Sequence, residues 1–228
     1  MTAHTLRAAL TTTADALITV TLAPQCISCD RVLDAPTQGC VCRPCWNLVA
    51  PAQTHSSFSG AITMARAGGD FDGALRAAIH AFKYEGRRSL ASPLGRLMQS
   101  TGSDLLRDAH CVVPVPLHAW RHYRRGFNQA SELAKTVGVP VVHALWRRRA
   151  TTPQSGLTAA ARRRNVRGAF RLSPLLSVRR REDLLRDRIV VLVDDVRTTG
   201  ATLHACAEVL RAAGAREVRA LTAAARDI

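Results

Sequence analysis

The chain has 228 residues, of which 47% are hydrophobic and 4% aromatic, and its formal net charge is +15. This length suits one main domain with a small addition, and the apolar content is enough for a full core built mainly from aliphatic side chains. No apolar run reaches about 18 residues, and residues 1–25 have too little positive charge for a signal peptide. We therefore expect no membrane insertion and a cytoplasmic protein, in which thiols stay reduced.

The positive charge is carried almost entirely by arginine and is concentrated in one segment. Lys83 and Lys135 are the only lysines, and residues 118–188 contain 17 Arg and Lys against 4 Asp and Glu. The planar guanidinium group presents donors that suit phosphate oxygens. This charge favours a polyanionic ligand or partner, such as a nucleotide, a sugar phosphate or nucleic acid. The alternative is a general arginine bias in the composition.

The predicted elements alternate between helix and strand. In chain order we expect a short amphipathic helix within residues 1–25, helices at 72–82 and 90–98, a strand at 111–116, a loop at 118–129, a helix at 130–136, a loop at 151–156, a short helix at 157–166, an exposed charged run at 179–181, a strand at 189–193, a helix at 202–213 and a strand at 218–222. This alternation predicts a parallel α/β sheet. We place the domain boundary near residue 60, giving domains 1–60 and 61–228.

Five of the seven cysteines lie within residues 26–45 and form two CxxC pairs with twelve residues between them. The pairs are Cys26 with Cys29 and Cys42 with Cys45. Two such turns complete a tetrahedron of thiolates with no open position, so we predict a structural Zn²⁺. Cys40 is then a surplus thiol, and an iron–sulfur cluster or a redox pair is the alternative. Cys111 and Cys206 lie in apolar runs and are expected to be buried packing residues.

Residues 190–202 predict a phosphate-binding loop after a buried strand. The residues that follow the strand are Asp194, Asp195, Val196, Arg197, Thr198, Thr199, Gly200, Ala201 and Thr202. A helix N-terminus offers free N–H groups to an anion, a glycine lets the backbone fold around it, and threonines add hydroxyl donors. Adjacent carboxylates repel phosphate but suit ribose hydroxyls or the waters of Mg²⁺, which favours a sugar phosphate. The alternative is a strand–turn–helix with a threonine cap; the P-loop pattern is absent.

Residues 190–202 resemble the phosphoribosyl pyrophosphate (PRPP) motif of the type I phosphoribosyltransferases. Further segments resemble the ComF family, the competence-protein-F-like phosphoribosyltransferases associated with DNA uptake in naturally transformable bacteria. In the family's order they are Lys-Tyr-Glu-Gly at 83–86, Val-Pro-Val-Pro-Leu-His at 113–118, Arg-Gly-Phe-Asn-Gln-Ala at 125–130, Gln-Ser-Gly-Leu at 154–157, Arg-Asn-Val at 164–166 and Gly-Ala-Phe at 168–170. The resemblance runs from about residue 24 to the C-terminus. It implies an α/β fold: a type I phosphoribosyltransferase-like core, with a parallel sheet flanked by helices, plus a small N-terminal four-cysteine zinc ribbon.

The resemblance also implies roles for individual residues. The 5′-phosphate of PRPP would lie on Thr198, Thr199, Gly200, Ala201 and Thr202, with Val196 and Arg197 beside it. Asp194 and Asp195 would be catalytic, facing the ribose and stabilising its oxocarbenium-like transition state, and Mg²⁺ would bind mainly through PRPP oxygens and water. The diphosphate would be approached by Pro116, Leu117 and His118 and neutralised by Arg121, Arg124 and Arg125, with Lys83 as a further contact. Residues 151–170 would close over the site, contributing Gln154, Arg163, Arg164 and Asn165.

Simpler roles remain open for several of these residues. The simpler alternatives are a solvated helix face for Arg163 and Arg164, capping of the next helix for Asn128 and Gln129, packing in a turn for His118, and a link between two segments for Lys83. Three hypotheses for function follow. The first is an active phosphoribosyltransferase, the second a sensor of PRPP or a nucleotide without turnover, and the third an accessory protein that handles single-stranded DNA beside a DNA helicase. No residue pattern indicates the acceptor of the phosphoribosyl group.

Overall fold

The computed structural model describes residues 3–52, 60–118, 120, 123, 125–148, 164, 166 and 168–226. The chain forms two compact units. The first consists of Met1–Ala50 with Asp72–Leu90, and the second of Pro51–Phe71 with Ala91–Ile228. The boundary that we expected near residue 60 stays a prediction, and the structure groups residues 72–90, which we had assigned to the larger domain, with the N-terminal segment.

The first unit is helical around a cysteine-rich ribbon. Its helices are α1 (Ala3–Leu22), α2 (Arg43–Asn47) and α3 (Gly73–Tyr84), with 3₁₀ turns at Pro36–Gln38 and Arg88–Leu90. The carboxylate of Asp15 in α1 is 6% exposed and accepts a hydrogen bond from the backbone N–H of Thr37 at 2.8 Å. This bond ties α1 to the ribbon. The helix predicted at 72–82 is confirmed, and its buried face has the helical spacing Leu75, Ala78, Ile79 and Phe82.

The second unit is built on a four-stranded parallel sheet. The strands of this unit are β1 (Met64–Asp70), β2 (Cys111–Pro114), β3 (Leu145–Arg147), β4 (Phe170–Leu172), β5 (Ile189–Arg197) and β6 (Glu217–Ala225). The main sheet has the order β1-β6-β5-β2, all parallel, while β3 and β4 form a separate antiparallel pair. Continuous apolar residues in β2 and β5 fit strands that are covered on both faces. The prediction of a parallel sheet flanked by helices is confirmed.

Helices cover both faces of this sheet. They are α4 (Ala91–Thr101), α5 (Ser103–Leu106), α6 (Gln129–Ala134), α7 (Val178–Leu185) and α8 (Ala201–Ala212). On one face, alternate strand residues such as Leu192 and Ala220 form a buried cluster with Leu203 and Cys206 of α8 and Phe170 of β4. On the opposite face, α4 packs on β1 and β6 and α6 packs on β2 and β5.

Some predicted boundaries were wrong. The strand expected to end at residue 193 continues to Arg197, because β6 extends beside it as far as Ala225 and keeps pairing with it. The segment expected as a loop at 118–129 is helical at Trp120, Tyr123 and Arg125. This stretch has no glycine or proline between residues 117 and 125, and arginine is a good helix former.

Other elements carry too weak a signal in the sequence. β1 is rich in Ala and Gly, which have low strand propensity, and we did not predict it. The short strands β3 and β4 were also not predicted, and the charged run at 179–181 belongs to helix α7. The predicted loop at 151–156 lies outside the described residues, as does most of the helix predicted at 157–166, of which Arg164 and Val166 are helical.

Candidate anion site and metal centre

The turn between β5 and α8 has the geometry of an anion site. Gly200 is the N-cap residue of α8, with φ 70° and ψ 0°, a left-handed conformation that favours glycine. Gly200 has no side chain that could cap this helix, so its N-cap residue does not occupy the first N–H groups of α8. Thr198 and Thr199 are half-buried in the same turn, and α8 runs for 12 residues behind it. This arrangement can hold a phosphate at the carboxyl edge of the sheet.

Asp194 and Asp195 lie in the last part of β5 and are half-buried. Because side chains alternate along a strand, the two carboxylates point to opposite faces of the sheet. Asp194 lies on the face that also carries Leu192 and α8, and its Oδ1 accepts a hydrogen bond from the backbone N–H of Asp195 at 2.9 Å. Val196 is half-buried, whereas Arg197 is 8% exposed. The pair thus presents two carboxylates at different angles just before the turn.

The second loop of the site, residues 115–118, follows the neighbouring strand β2. Pro114 is the register partner of Val193, and the backbone N–H of Val115 donates to the carbonyl of Val193 at 2.9 Å. Pro116, Leu117 and His118 are half-buried beyond this point. The carboxyl ends of β2 and β5 therefore bring both predicted loops to one edge of the sheet.

Asn128 has two functions at this edge. Its Oδ1 accepts from the backbone N–H of Ala130 at 3.1 Å, which confirms that it caps α6. Its Nδ2 also donates to the carbonyl oxygen of Val115 at 3.1 Å. The same side chain therefore starts a helix and fixes the first residue of the loop at 115–118.

Arg125 and Gln129 form a second polar pair beside this loop. Nη1 of Arg125 donates to Oε1 of Gln129 at 3.1 Å. Gln129 is 1% exposed, and its Nε2 has no hydrogen-bond partner among the residues that the structure describes. The pair therefore combines a guanidinium with a buried amide donor.

The other predicted contacts lie in different parts of the chain. Lys83 lies in the last turn of α3, in the first unit. Arg164 is helical and exposed. The predicted contacts Arg121, Arg124, Gln154, Arg163 and Asn165 lie outside the described residues.

The burial of Arg147 was not predicted from the sequence. Arg147 is 5% exposed, and its guanidinium carbon lies 5.3 Å from the centre of the Phe170 ring, with which it is paired across β3 and β4. It stands in a run of three arginines, which predicts a solvated surface. The pairing of β3 with β4 shows that Arg147 points inward.

The four predicted metal ligands of the first unit lie together. The Sγ atoms of Cys26, Cys29, Cys42 and Cys45 are all within 4.8 Å of one another. The Sγ atoms of Cys29 and Cys42 are 3.7 Å apart, close to the ~3.8 Å expected for two thiolates at tetrahedral angles about 2.3 Å from one Zn²⁺. These four residues can hold one metal ion, and Cys40 is not a member of the cluster that the described residues form.

The electrostatics differ among the cysteines of the cluster: burial, with hydrogen bonds to Cys42 and Cys29, raises the pKa of Cys45 to about 12, whereas the pKa of Cys26 is lowered. Burial raises the pKa of Cys26, but hydrogen bonds from the backbone N–H groups of Cys42, Ser28 and Cys29 outweigh it and bring that pKa to about 6. Such a thiol is ready to bind a cation as a thiolate. By contrast, burial raises the pKa of Cys111 to about 11, which fits the predicted packing role.

Among the helices that the structure describes, none combines the length and the apolar character needed to cross a bilayer.

Comparison with known proteins first gives a domain-level similarity. The family model of the phosphoribosyl transferase domain matches residues 123–227, which include β5, the turn and α8. The solved orotate phosphoribosyltransferase from Aeropyrum pernix is 20% identical and superposes with a TM-score of 0.36, covering 62% of this chain and 75% of that one.

Two curated relatives then narrow the class to one family. The chain is 33% identical to DNA utilization protein YhgH of Salmonella typhimurium, over 88% of this chain and 82% of that protein. It is 34% identical to competence protein F of Haemophilus influenzae, over 62% and 63% of the two chains. The match to the Escherichia coli O157:H7 relative spans 66% of that protein's length. The chain belongs to the ComF family of phosphoribosyltransferase-like proteins.

Proposed function

We propose that the second unit binds PRPP with Mg²⁺ at the carboxyl edge of its sheet and transfers the phosphoribosyl group to an acceptor. The observation that carries this proposal is that two neighbouring parallel strands, β2 and β5, end in polar loops at one edge. One loop leads to a helix that begins at a left-handed glycine, and it is preceded by a pair of carboxylates. The turn before the helix suits a phosphate, the carboxylates suit a ribose, and the loop after β2 suits a diphosphate.

In this proposal the 5′-phosphate lies on the turn from Thr198 to Thr202, where N–H groups and hydroxyls donate to its oxygens. Asp194 and Asp195 accept hydrogen bonds from ribose hydroxyls and stabilise the positive charge that develops on the ring. The loop at 115–118 approaches the leaving diphosphate, and Arg125 neutralises part of its charge. Mg²⁺ bound with PRPP would shield the diphosphate charge and favour its departure. The bond from C1 of ribose to the diphosphate oxygen breaks, and a bond to the acceptor atom forms.

Binding is tested by thermal unfolding with Mg²⁺ and PRPP. At about a hundred times its dissociation constant, PRPP should stabilise the protein by about 2.7 kcal/mol. Asp195→Asn should remove most of this shift, whereas the matched control Asp187→Asn should keep it. Asp187 is exposed, and its φ of 57° is a conformation that Asn tolerates. If saturating PRPP leaves the unfolding curve of the wild type unmoved, the binding proposal fails.

Turnover is tested separately, by diphosphate release with a panel of nitrogen bases and amines. Release that depends on one acceptor and is lost in Asp195→Asn supports the transferase. Tight PRPP binding without release with any acceptor in the panel supports the alternative, a sensor of PRPP or a nucleotide. The acceptor itself is not part of the proposal.

A second candidate function is binding of single-stranded DNA, and a specific observation favours it. Trp120 and Tyr123 are 63% and 81% exposed, and their rings stack with centroids 6.2 Å apart. They stand within a segment that also contains three arginines at 121, 124 and 125. Exposed aromatic rings among basic residues are the usual platform for unpaired bases, each worth about 1–3 kcal/mol.

Fluorescence anisotropy with a labelled oligothymidine tests this candidate. Affinity should fall steeply with salt, and Tyr123→Ala should weaken binding about tenfold. Trp146→Ala is the matched control, since Trp146 is 48% exposed but lies in β3. If the oligonucleotide does not bind at low salt, or binds equally to Tyr123→Ala and Trp146→Ala, Trp120 and Tyr123 are not a platform for bases. We also propose that the protein acts in DNA uptake, beside a DNA helicase, and that it is cytoplasmic. The metal that we propose for the cysteine cluster is Zn²⁺.

A further inference from the structure

Gln129 is a buried polar residue beside the loop that we propose to meet the diphosphate. It is the first residue of α6 and is 1% exposed. The cap of this helix is the preceding residue, Asn128, whose side chain accepts from the N–H of Ala130. Burying an amide costs free energy unless its polar atoms are hydrogen-bonded. Gln129 therefore needs a role other than capping.

The amide of Gln129 holds the guanidinium of Arg125. Nη1 of Arg125 donates to Oε1 of Gln129 at 3.1 Å. Because a guanidinium has donors only, the amide oxygen has to be the atom that faces it, and this fixes the orientation of the amide. The other amide atom, Nε2, is buried and has no hydrogen-bond partner within the described part of the chain. Gln129 thus gives its acceptor to Arg125 and leaves a buried donor unsatisfied.

This contact ties Arg125 to the main sheet. Arg125 is half-buried and helical, and a short turn separates it from α6. Asn128, next to Gln129 in the chain, donates to the carbonyl oxygen of Val115 at 3.1 Å. Val115 in turn donates to the carbonyl of Val193 in β5 at 2.9 Å. The guanidinium is therefore linked by short, consecutive connections to the strand that carries the two carboxylates.

We propose that Gln129 is a positioning residue, which holds the guanidinium of Arg125 in place for the diphosphate of PRPP. An arginine side chain has many rotamers, and fixing it before the ligand arrives lowers the entropy cost of binding. The unsatisfied Nε2 supports this role, because an apolar side chain of similar size would avoid that loss of stability. The inference rests on the proposed function, whereas the contact between the two side chains does not.

Calorimetry with Mg²⁺ and two ligands tests the positioning role. Ribose 5-phosphate has the sugar and the 5′-phosphate of PRPP but no diphosphate. Gln129→Met keeps a side chain of similar length and removes the amide. It should weaken PRPP binding at least about fivefold and change ribose 5-phosphate binding less than about twofold.

Lys135→Met is the matched control, because it removes a hydrogen-bonding group from α6 and introduces the same side chain. Lys135 is exposed at the other end of this helix, where its Nζ donates to Oε1 of Glu132 at 2.8 Å. This variant should change the affinity for either ligand less than about twofold.

The two ligands separate positioning from packing. A disturbed helix or a smaller folded fraction weakens both ligands alike. An equal loss of affinity for PRPP and ribose 5-phosphate in Gln129→Met would therefore overturn the proposal, and so would an unchanged affinity for both. If Gln129→Met does not fold, Gln129→Asn takes its place, because the shorter side chain keeps an amide and withdraws its oxygen from Arg125.

A double-mutant cycle shows whether Gln129 acts through Arg125. Arg125→Gln should weaken PRPP binding at least about tenfold. In that background Gln129→Met should weaken it less than about twofold further, since the group that it positions is gone. An equal effect of Gln129→Met with and without Arg125 would overturn the proposal.

Failure of the proposed function gives a different result. If the wild type binds neither ligand, the proposed function fails, and the role of Gln129 toward the diphosphate fails with it. Urea unfolding of the same four proteins still decides whether the two side chains interact, which requires a coupling of at least about threefold in the ratio of unfolded to folded protein. If the wild type binds PRPP and the cycle shows no coupling in affinity, only the inference about Gln129 fails.

Discussion

Asn128 donates from its Nδ2 to the carbonyl oxygen of Val115, so that one side chain joins the start of α6 to the loop that follows β2. Through this bond the loop at 115–118 is held on both sides, since the N–H of Val115 already pairs with Val193 of β5. The loop proposed to meet the diphosphate is therefore prepared before any ligand arrives.

Asn128→Asp isolates this bond. A carboxylate still caps α6 by accepting from Ala130, but it cannot donate to the carbonyl of Val115. We expect a loss of about 1–2 kcal/mol in the free energy of unfolding and weaker PRPP binding. Asn128→Ala removes the cap as well and should cost about 1 kcal/mol more. Urea unfolding measures both, and a fully stable Asn128→Asp variant contradicts the role of this bond.

Gly200 is the position that tests the left-handed conformation of the turn before α8. At φ 70° an L-residue with a Cβ is strained, so Gly200→Ala should destabilise the protein by about 1–2 kcal/mol and weaken PRPP binding. Asn tolerates this conformation better, and Gly200→Asn should cost less than Gly200→Ala. Equal costs in thermal unfolding would show that the left-handed turn does not determine the effect.

The cysteine cluster predicts a defined metal content. The purified protein should contain one zinc ion per chain, and Cys29→Ser should lose it with only a small change in packing, because Cys29 is exposed. The control Cys40→Ser removes a cysteine from the same ribbon and should retain the metal. Elemental analysis decides between these outcomes, and zinc loss in Cys40→Ser would show that Cys40 is a ligand. Chelation should also lower the melting temperature of the wild type.

The ion pair of Arg219 with Glu217 should make the free energy of unfolding depend on pH in the acid range. Its Nε donates to Oε1 of Glu217 at 2.7 Å and its Nη1 to the carbonyl of Leu105 at 3.0 Å. The Arg219 hydrogen bond holds the pKa of Glu217 below its usual value, so this pair stabilises the fold above a pH of about 4.3 and stops doing so as the pH falls through the lowered pKa.

Arg219→Gln tests this dependence. It should lose about 2 kcal/mol near pH 7, and the difference from the wild type should shrink as the pH falls toward 3. Arg171→Gln, on the exposed side of β4, is the control and should follow the wild type at every pH. A difference between Arg219→Gln and the wild type that stays constant with pH would exclude the ion pair as its cause.

The sequence predicted the parts of the fold that have strong local signals. Such signals are the β-branched run before Asp194, the helix after Gly200 and the two CxxC pairs. In each case neighbouring residues in the sequence are enough to indicate the structure. The Ala- and Gly-rich strand β1 and the inward side chain of Arg147 were not predicted, because both depend on partners far away in the chain. The boundary near residue 60 and the roles of individual site residues stay predictions.

The pairing of β1 has a consequence for how the protein is made. The partner of Met64 is Arg219, and β6 is the strand that joins β1 to the rest of the sheet. During synthesis β1 leaves the ribosome about 150 residues before the strand it needs, and such distant pairing is slow to form. Until β6 emerges, the edge of β1 has no strand of this sheet to bind. Nascent chains that stall before residue 217 should therefore be the ones that depend on chaperones.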